Sequence, residues 1–286
     1  MEKNLYLIDG HAVIYKYYYA YERNPLITSY GENTSATFGL THMLKTLLLS
    51  RDISHIGVIF DPPGGSWRKR VYPEYKAGRT KPDDISQHFA RAYGLLQTWG
   101  IYTSAFENYE ADDVIGAIAR QAEVKGFKVW IVTRDKDYGQ LVTDNICLID
   151  LGKKIGLDEV SIIGPDQVYE KFGVHPDQIL DFLALCGDTS DNVKGVEGIG
   201  PKKAVTLLGD HGSIDGIYKH YETAPDGLNK AKRGAFDKMK QKFEDSKEAV
   251  ELAQRLVKLS TDIELPFDLE TRLLRPPNTN PAIVKL

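Results

Sequence analysis

Leu5-Tyr6-Leu7-Ile8 is a run of four branched or aromatic residues, and Asp9 follows it directly. Three further runs read alike: Ile56–Phe60 with Asp61 behind it, Val129–Val132 with Asp135 and Asp137 shortly after, and Ile146–Ile149. Four or five residues long and apolar almost throughout, they predict strands buried on both faces. Between them, Ala36, Leu40, Met43, Leu44, Leu47 and Leu48 recur at helical spacing, as do Ala111, Val114, Ile115, Ile118, Ala119 and Ala122. Strands alternating with amphipathic helices predict an α/β fold, with a mostly parallel central sheet flanked by helices.

The pattern changes after Gly164. From Asp166 onward the sequence offers helices and no convincing strand. Gln178–Gly187 is one helix, Pro201–Leu208 a second with proline first and Gly209 behind it, and Ser246–Leu259 a third. The expected organisation is a core over 1–165 with a basic segment at about 66–95, then an all-helical part over 166–264. Residues 265–286, with Pro266, Pro276, Pro277 and Pro281, read as an extended tail or linker.

A chain of 286 residues with 42% hydrophobic and 27% charged residues is globular, which excludes a disordered or fibrous protein. Cys147 and Cys186 are too few for a disulfide framework or a zinc site and suit a reducing cytoplasm. No apolar run approaches the roughly 18 residues of a membrane span, so no membrane partner is expected. The formal net charge of −4, taken alone, disfavours a polyanionic partner.

The placement of the acids says otherwise. Carboxyl ends of parallel strands meet at one edge, where ligands bind. Asp9, Asp61 and the Asp135/Asp137 pair all follow strands; Glu110, Asp112 and Asp113 open a helix; Asp188 and Asp191 follow another. Singly, each group passes for helix capping or a solvated turn. Together they would repel one another unless a cation sat between them. A set of carboxylates suits Mg²⁺ or Mn²⁺ rather than zinc, and His11 alone beside Asp9 is no metal-ligand pattern.

Ser66–Lys81 carries Arg68, Lys69, Arg70, Lys76, Arg79 and Lys81 against the single acid Glu74, interleaved with Trp67, Tyr72 and Tyr75. A carboxylate-held metal beside such a segment points to phosphoryl chemistry, in which two ions about 3.5–4 Å apart support an in-line displacement. Gly195, Gly198 and Gly200 let backbone approach a phosphate, Pro201 opens a helix whose amides favour an anion, and Lys202 and Lys203 add charge. Lys230, Lys232, Arg233, Lys238, Lys240 and Lys242 form a third basic cluster, while Tyr15, Tyr17, Tyr18, Tyr19 and Tyr21 read mostly as core.

These pieces resemble the structure-specific 5′ nucleases, the flap endonuclease family, and most of all the N-terminal 5′-3′ exonuclease domain of bacterial DNA polymerase I. The matching motifs are Leu7-Ile8-Asp9-Gly10, Phe60-Asp61, Trp67-Arg68, Tyr75-Lys76-Ala77-Gly78-Arg79, Tyr109-Glu110-Ala111-Asp112-Asp113, Thr133-Arg134-Asp135-Lys136-Asp137 and Gly187-Asp188-Thr189-Ser190-Asp191-Asn192. Gly195–Ala204 follows as a helix-hairpin-helix-like element. The resemblance implies two Mg²⁺ (or Mn²⁺) ions. Asp9, Asp61, Glu110 and Asp112 would surround one, Asp135, Asp137, Asp188 and Asp191 the other, with Asp113 bridging or supporting. It implies catalytic roles for Lys76 and Arg79 with Asp9, Asp61, Asp112, Asp135 and Asp188. Arg68, Lys76 and Arg79 would steer phosphate in a helical arch, and Gly195, Gly198, Gly200, Lys202 and Lys203 would grip the duplex. A K⁺ ion on hairpin carbonyls belongs to the same resemblance.

The function so implied is metal-dependent 5′-3′ exonuclease and 5′-flap endonuclease hydrolysis of branched or nicked DNA in primer removal and repair. The partner would be DNA with a free 5′ end, flap or nick, or an RNA primer strand, and the protein a monomer, alone or fused to a polymerase. The residues leave two alternatives: a DNA-binding module with structural metal, and a Mg²⁺-dependent phosphatase with Asp9 as nucleophile. The second is opposed by His11, where that chemistry wants another aspartate. With nine of the 40 acids set aside at the metal site, 31 remain against 36 bases, a balance of +5. The net charge conceals a basic surface around a negative site.

Overall fold

The computed structural model describes residues 3–152 and 160–276. In it the four apolar runs become neighbouring strands, β1 (Asn4–Asp9), β2 (His55–Phe60), β4 (Lys128–Val132) and β5 (Ile146–Asp150), joined by β3 (Tyr102–Ala105) and β6 (Ser161–Ile163). Their order is β3-β2-β1-β4-β5-β6. All pairs are parallel except β5–β6. The most apolar strands lie at the centre, where both faces are covered. β3 and β6 escape sequence reading because they lie at the edges: Tyr102-Thr103-Ser104-Ala105 is only half-buried, Ser161-Ile162-Ile163 is largely exposed, and neither carries a long apolar run.

Alternation along β1 divides the core in two. Leu5 and Leu7 face one side with Ile59, Val129 and Ile131, under α5 (Ala111–Val124). Tyr6 and Ile8 face the other with Val58 and Phe60, under α1 (Gly10–Ala20), α2 (Ser35–Ser50) and α4 (Ile85–Thr98). Each fully buried Leu or Ile contributes roughly 1.5–3 kcal/mol. The five-residue α3 (Trp67–Val71) precedes α4 on the site side. Tyr17 is fully buried, in keeping with the core reading of the tyrosine run, whereas Tyr19 is half exposed.

The helical half comprises α6 (Pro165–Phe172), α7 (Ile179–Cys186), α8 (Pro201–His211), α9 (Ile214–Glu222) and α10 (Lys230–Val257). The helix expected at Ser246–Leu259 is thus the end of a single 28-residue helix whose first half carries the third basic cluster. Its residues share the first core with α5, so the two halves pack together. No helix among the described residues is long and apolar enough to cross a membrane.

Three expectations are corrected. First, a short antiparallel ladder, β7 (Gly187–Asp188) with β8 (Val193–Lys194), lies beyond Asp166. Two-residue strands leave no periodicity to read. Second, the basic arch expected over about 66–95 does not stand clear of the core along its whole length. Ile85, His88, Ala92 and Leu96 turn one face of α4 into the core, so only about 67–81 is left to cover the acids. Third, the tail does not leave at residue 265. α11 (Leu269–Arg272) seats Leu269 and Leu273 in the core, the Ile56 amide donates to the Leu273 carbonyl at 2.7 Å, and the Arg275 amide donates to Ser54 at 2.9 Å. The rest of the predicted tail, 277–286, lies outside the described residues.

Candidate metal centre

The carboxyl ends of β2, β1 and β4, adjacent in the sheet, bring Asp61, Asp9 and Asp135 to one edge. Asp9 also caps α1, its Oδ1 accepting from the Ala12 amide at 2.9 Å. Its Oδ2 accepts from the Thr133 hydroxyl at 3.2 Å and the Tyr138 hydroxyl at 3.4 Å. Burial raises the Asp9 carboxyl to about 7; the Ala12 amide opposes the shift, and the charges of Asp61 and Asp135 add to it. Asp61 Oδ1 accepts from the Ala111 amide at 2.8 Å, tying β2 to the start of α5. His11 Nδ1 accepts from the Asp61 amide at 3.1 Å and its ring stacks on Phe89, so this histidine serves the packing behind Asp61.

α5 presents Glu110 and Asp112 at its N-terminus. Glu110 accepts from Lys76 Nζ at 3.0 Å and from the Tyr75 hydroxyl at 3.1 Å. Asp112 is pushed well above the ordinary carboxylate range by burial, with Arg68 opposing and Asp113 and Glu110 reinforcing.

The second group stands on the turn after β4 and on β7 with the loop that follows it. Asp137, Asp188 and Asp191 are buried, each with a carboxylate oxygen within 4.8 Å of the others. Asp137 Oδ1 is buried without a hydrogen-bond partner. Burial, and then Asp135, Asp188 and Asp191, hold its carboxyl well above the usual range. Asp135 Oδ1 accepts from the Asp137 amide at 2.9 Å. Asp188 departs downward: burial works against ionisation, but the Lys136 ammonium at 2.6 Å and the Ser190 hydroxyl at 2.6 Å outweigh it. Three buried carboxylates this close, one with an oxygen that lacks a hydrogen-bond donor, suit a hard divalent cation.

The basic segment is laced over this edge. Lys76 sits at φ 55°, its amide donates to the Asp191 carbonyl at 2.9 Å, and its Nζ lies 3.7 Å from the Asp191 carboxylate. Arg79 pairs with the Asp191 carboxylate and donates through Nε to the Ser190 carbonyl at 3.2 Å. The Tyr75 hydroxyl reaches both Glu110 and Asp191, at 3.1 and 2.8 Å, and so links the two acid groups. Arg79 is half exposed and can turn a donor to solvent.

Asp9, Asp61, Glu110, Asp112, Asp135, Asp137, Asp188, Asp191, Lys76 and Arg79 therefore share one edge. Arg68 and Gly195 stand apart from that edge, and Asp113 takes the supporting of its two expected places rather than the bridging one. Arg68 is 1% exposed and forms a two-pronged pair with the fully buried Asp113, at 2.6 and 2.8 Å. Neither side chain has a face for phosphate or metal, because the guanidinium and carboxylate neutralise each other inside the core. Gly195 packs inward: a Cβ there would lie 2.3 Å from the Gly187 amide nitrogen, so β7 and β8 demand glycine before any ligand does. Gly198 and Gly200 are exposed on the hairpin leading into α8, and Lys202 and Lys203 in its first turn. The ammonium groups of Lys203 and Lys242 sit on the Gly198 and Glu197 carbonyls, the first at 3.0 Å.

Sequence reasoning gave no site role to Tyr75, Thr133 and Lys136, although they stand in its motifs, and passed over Tyr138. Lys136, between two acids, carried a usable signal. The tyrosines did not, since a buried hydroxyl reads like any core aromatic until its partners are known.

Residues 4–173 match the family model described as 5′-3′ exonuclease, N-terminal resolvase-like domain, and residues 174–280 match 5′-3′ exonuclease, C-terminal SAM fold. The chain is 36% identical to a 5′-3′ exonuclease of Aquifex aeolicus, over 99% of this chain and 91% of that one. It is 39% identical to DNA polymerase I of Deinococcus radiodurans over 98% of this chain, but spans only 27% of the polymerase. Among solved structures, phage T5 5′-exonuclease with bound divalent metal ions superposes with a TM-score of 0.70 at 22% identity, over 91% of this chain and 90% of that one. The catalytic core of Rad2 in complex with DNA substrate does so at 0.58 and 17%, over 94% and 82%. At these identities the structural matches speak for the fold.

Proposed function

The chain belongs to the 5′-3′ exonuclease family, and on that premise we propose that its acidic edge cleaves DNA phosphodiesters from a 5′ end or flap with two divalent ions. The reading is carried by Asp137, Asp188 and Asp191, three buried carboxylates within 4.8 Å of one another, with Asp137 Oδ1 lacking a hydrogen-bond donor beside the strand-end acids. Asp9, Asp61, Glu110 and Asp112 would hold one Mg²⁺ or Mn²⁺, and Asp135, Asp137, Asp188 and Asp191 the other. Such ions supply an activated water and neutralise charge on the leaving oxygen.

The chain's own residues do the rest. Lys76 and Arg79, poised on Glu110 and Asp191, exchange those partners for the oxygens of the scissile phosphate and neutralise charge developing there. Tyr75 and Tyr138 hold carboxylate oxygens by their hydroxyls and fix the directions in which the remaining lone pairs point. Gly198, Gly200, Lys202, Lys203 and the basic half of α10 would track the duplex beyond the cut. A K⁺ ion on hairpin carbonyls would have to compete with the Lys203 and Lys242 ammonium groups, which sit on the Gly198 and Glu197 carbonyls. The phosphatase alternative is opposed by His11, which stands two positions after Asp9 where that chemistry wants a second aspartate. Primer removal or repair by a cytoplasmic monomer, with or without a polymerase attached, is the setting this chemistry suits.

The test is cleavage of an end-labelled 5′-flap duplex. Asp135→Asn and Asp188→Asn should each abolish EDTA-sensitive cleavage and leave flap binding measurable. Undiminished cleavage with both acids replaced would overturn the proposal.

A further inference from the structure

The C-terminal end of α10 touches both acid groups through separate hydrogen-bonded ties. On one side stands Arg68. Its Nε donates to the Leu256 carbonyl at 2.6 Å and Nη2 to the Lys258 carbonyl at 2.9 Å, while both terminal nitrogens bind Asp113. Nη1 also reaches Glu110 at 3.4 Å. The five N–H donors of the guanidinium are thereby committed. The two carbonyls belong to the last turn of α10 and its cap, where a helix leaves acceptors unpaired and carries partial negative charge. Asp113 in turn accepts from the Ser260 amide at 2.8 Å. The far end of this tie is α5, where Asp113 stands three residues after Glu110 and one after Asp112.

On the other side stands Gln140. Its Nε2 donates to the Val257 carbonyl at 3.0 Å and its Oε1 accepts from the Leu259 amide at 3.1 Å. Gln140 lies in the short 3₁₀ helix Lys136–Leu141 that Asp135 caps and that carries Asp137. One five-residue segment, 256–260, is therefore fastened at once to the element bearing Glu110 and Asp112 and to the element bearing Asp135 and Asp137.

We infer that residues 256–260 set the spacing of the two acid groups, and that Arg68 and Gln140 are positioning residues acting through this segment. This rests on the proposed metal-dependent reading of the acidic edge. A planar fork and a side-chain amide, each bonded to fixed backbone groups, hold a distance that a flexible ammonium cannot. Residues behind metal ligands commonly change metal affinity by about 10–100-fold when replaced.

The experiment uses the full chain with Gln140→Ala, Gln140→Glu and Arg68→Lys, each checked for a cooperative melt. Mn²⁺ is titrated calorimetrically without DNA, and a 5′-flap duplex is bound in EDTA over a series of salt concentrations. Gln140→Ala and Arg68→Lys should weaken Mn²⁺ binding at least tenfold and leave flap affinity and its salt dependence as in the wild type. Gln140→Glu, which keeps the acceptor for Leu259, should fall between. Were Arg68 a phosphate contact, lysine would preserve Mn²⁺ affinity, and that result, or unchanged Mn²⁺ binding in Gln140→Ala, overturns the inference. If Arg68→Lys does not fold, Gln140→Ala decides alone. A wild type that binds flap DNA but no Mn²⁺ would instead overturn the functional reading, and this inference with it.

Discussion

Asp9→Asn should stabilise the protein when metal is withheld, and the size of the effect follows from burial. The carboxyl is 7% exposed and raised from 3.8 to about 7, chiefly by burial. A folded-state value above the unfolded one means that the native protein binds the proton more tightly. The stability from this group is complete below pH 3.8, declines as pH rises and is gone above about 7. The span corresponds to roughly 4 kcal/mol at about 1.36 kcal/mol per unit, and relaxation on ionisation should leave about 2 kcal/mol. Asparagine suits the geometry: its oxygen can keep the Ala12 cap, and its amide can donate to the Thr133 and Tyr138 hydroxyls. In EDTA at pH 8 the variant should therefore melt about 4 °C above the wild type, on a scale of about 2 °C per kcal/mol for a chain this long. Near pH 4 the two should coincide. Adding Mg²⁺ should raise the wild-type melting temperature and reverse the order. Calorimetric melts from pH 4 to 8.5, with and without Mg²⁺, read all of this. An asparagine variant less stable than the wild type at pH 8 in EDTA, or a gap independent of pH, refutes the reasoning.

Tyr75→Phe removes the one hydroxyl proton shared between Glu110 and Asp191 and with it the link between the two acid groups; kcat on a flap substrate should fall about tenfold with flap affinity in EDTA unchanged. Gly195→Ala should destabilise the chain by more than 2 kcal/mol in urea melts, because the new Cβ meets the Gly187 and Leu185 backbone inside 2.5 Å and no side chain can yield. Replacing both Lys202 and Lys203 with alanine should lower the salt dependence of duplex binding by nearly two in log–log slope, at about 0.9 per phosphate contact, and a slope equal to the wild type's would remove the hairpin from the interface.

The central sheet and the edge where the acids meet were legible because burial on two faces imposes long apolar runs, and a residue directly behind such a run has only one place to be. Asp9 and Asp61 needed nothing more. β3 failed this test, since an edge strand of Thr103 and Ser104 is under no such pressure. Arg68 was misread for a subtler reason. Six cations in sixteen residues look alike in sequence, and the one turned inward is distinguished only by Asp113, 45 positions away. The same holds for the tail, whose prolines suggest an exit. Leu269 and Leu273 are too few to announce a core segment, and their burial depends on space left beside Gly57, where a Cβ would lie 2.9 Å from Leu273.

That closing strap has a temporal side. His55 and Glu270 are joined by a hydrogen bond at 2.9 Å across 215 positions of chain, and the Leu273 carbonyl pairs at the foot of β2. A contact so distant along the sequence contributes nothing until almost everything between has been made, and its loop entropy falls due at the end. At roughly 5–20 residues per second, β2 waits on the order of ten seconds or more during synthesis with its lower end unfinished. The boundary near residue 173, where two family models meet, therefore separates sequences more cleanly than it separates folding events. The sheet is among the first elements translated and among the last to be sealed.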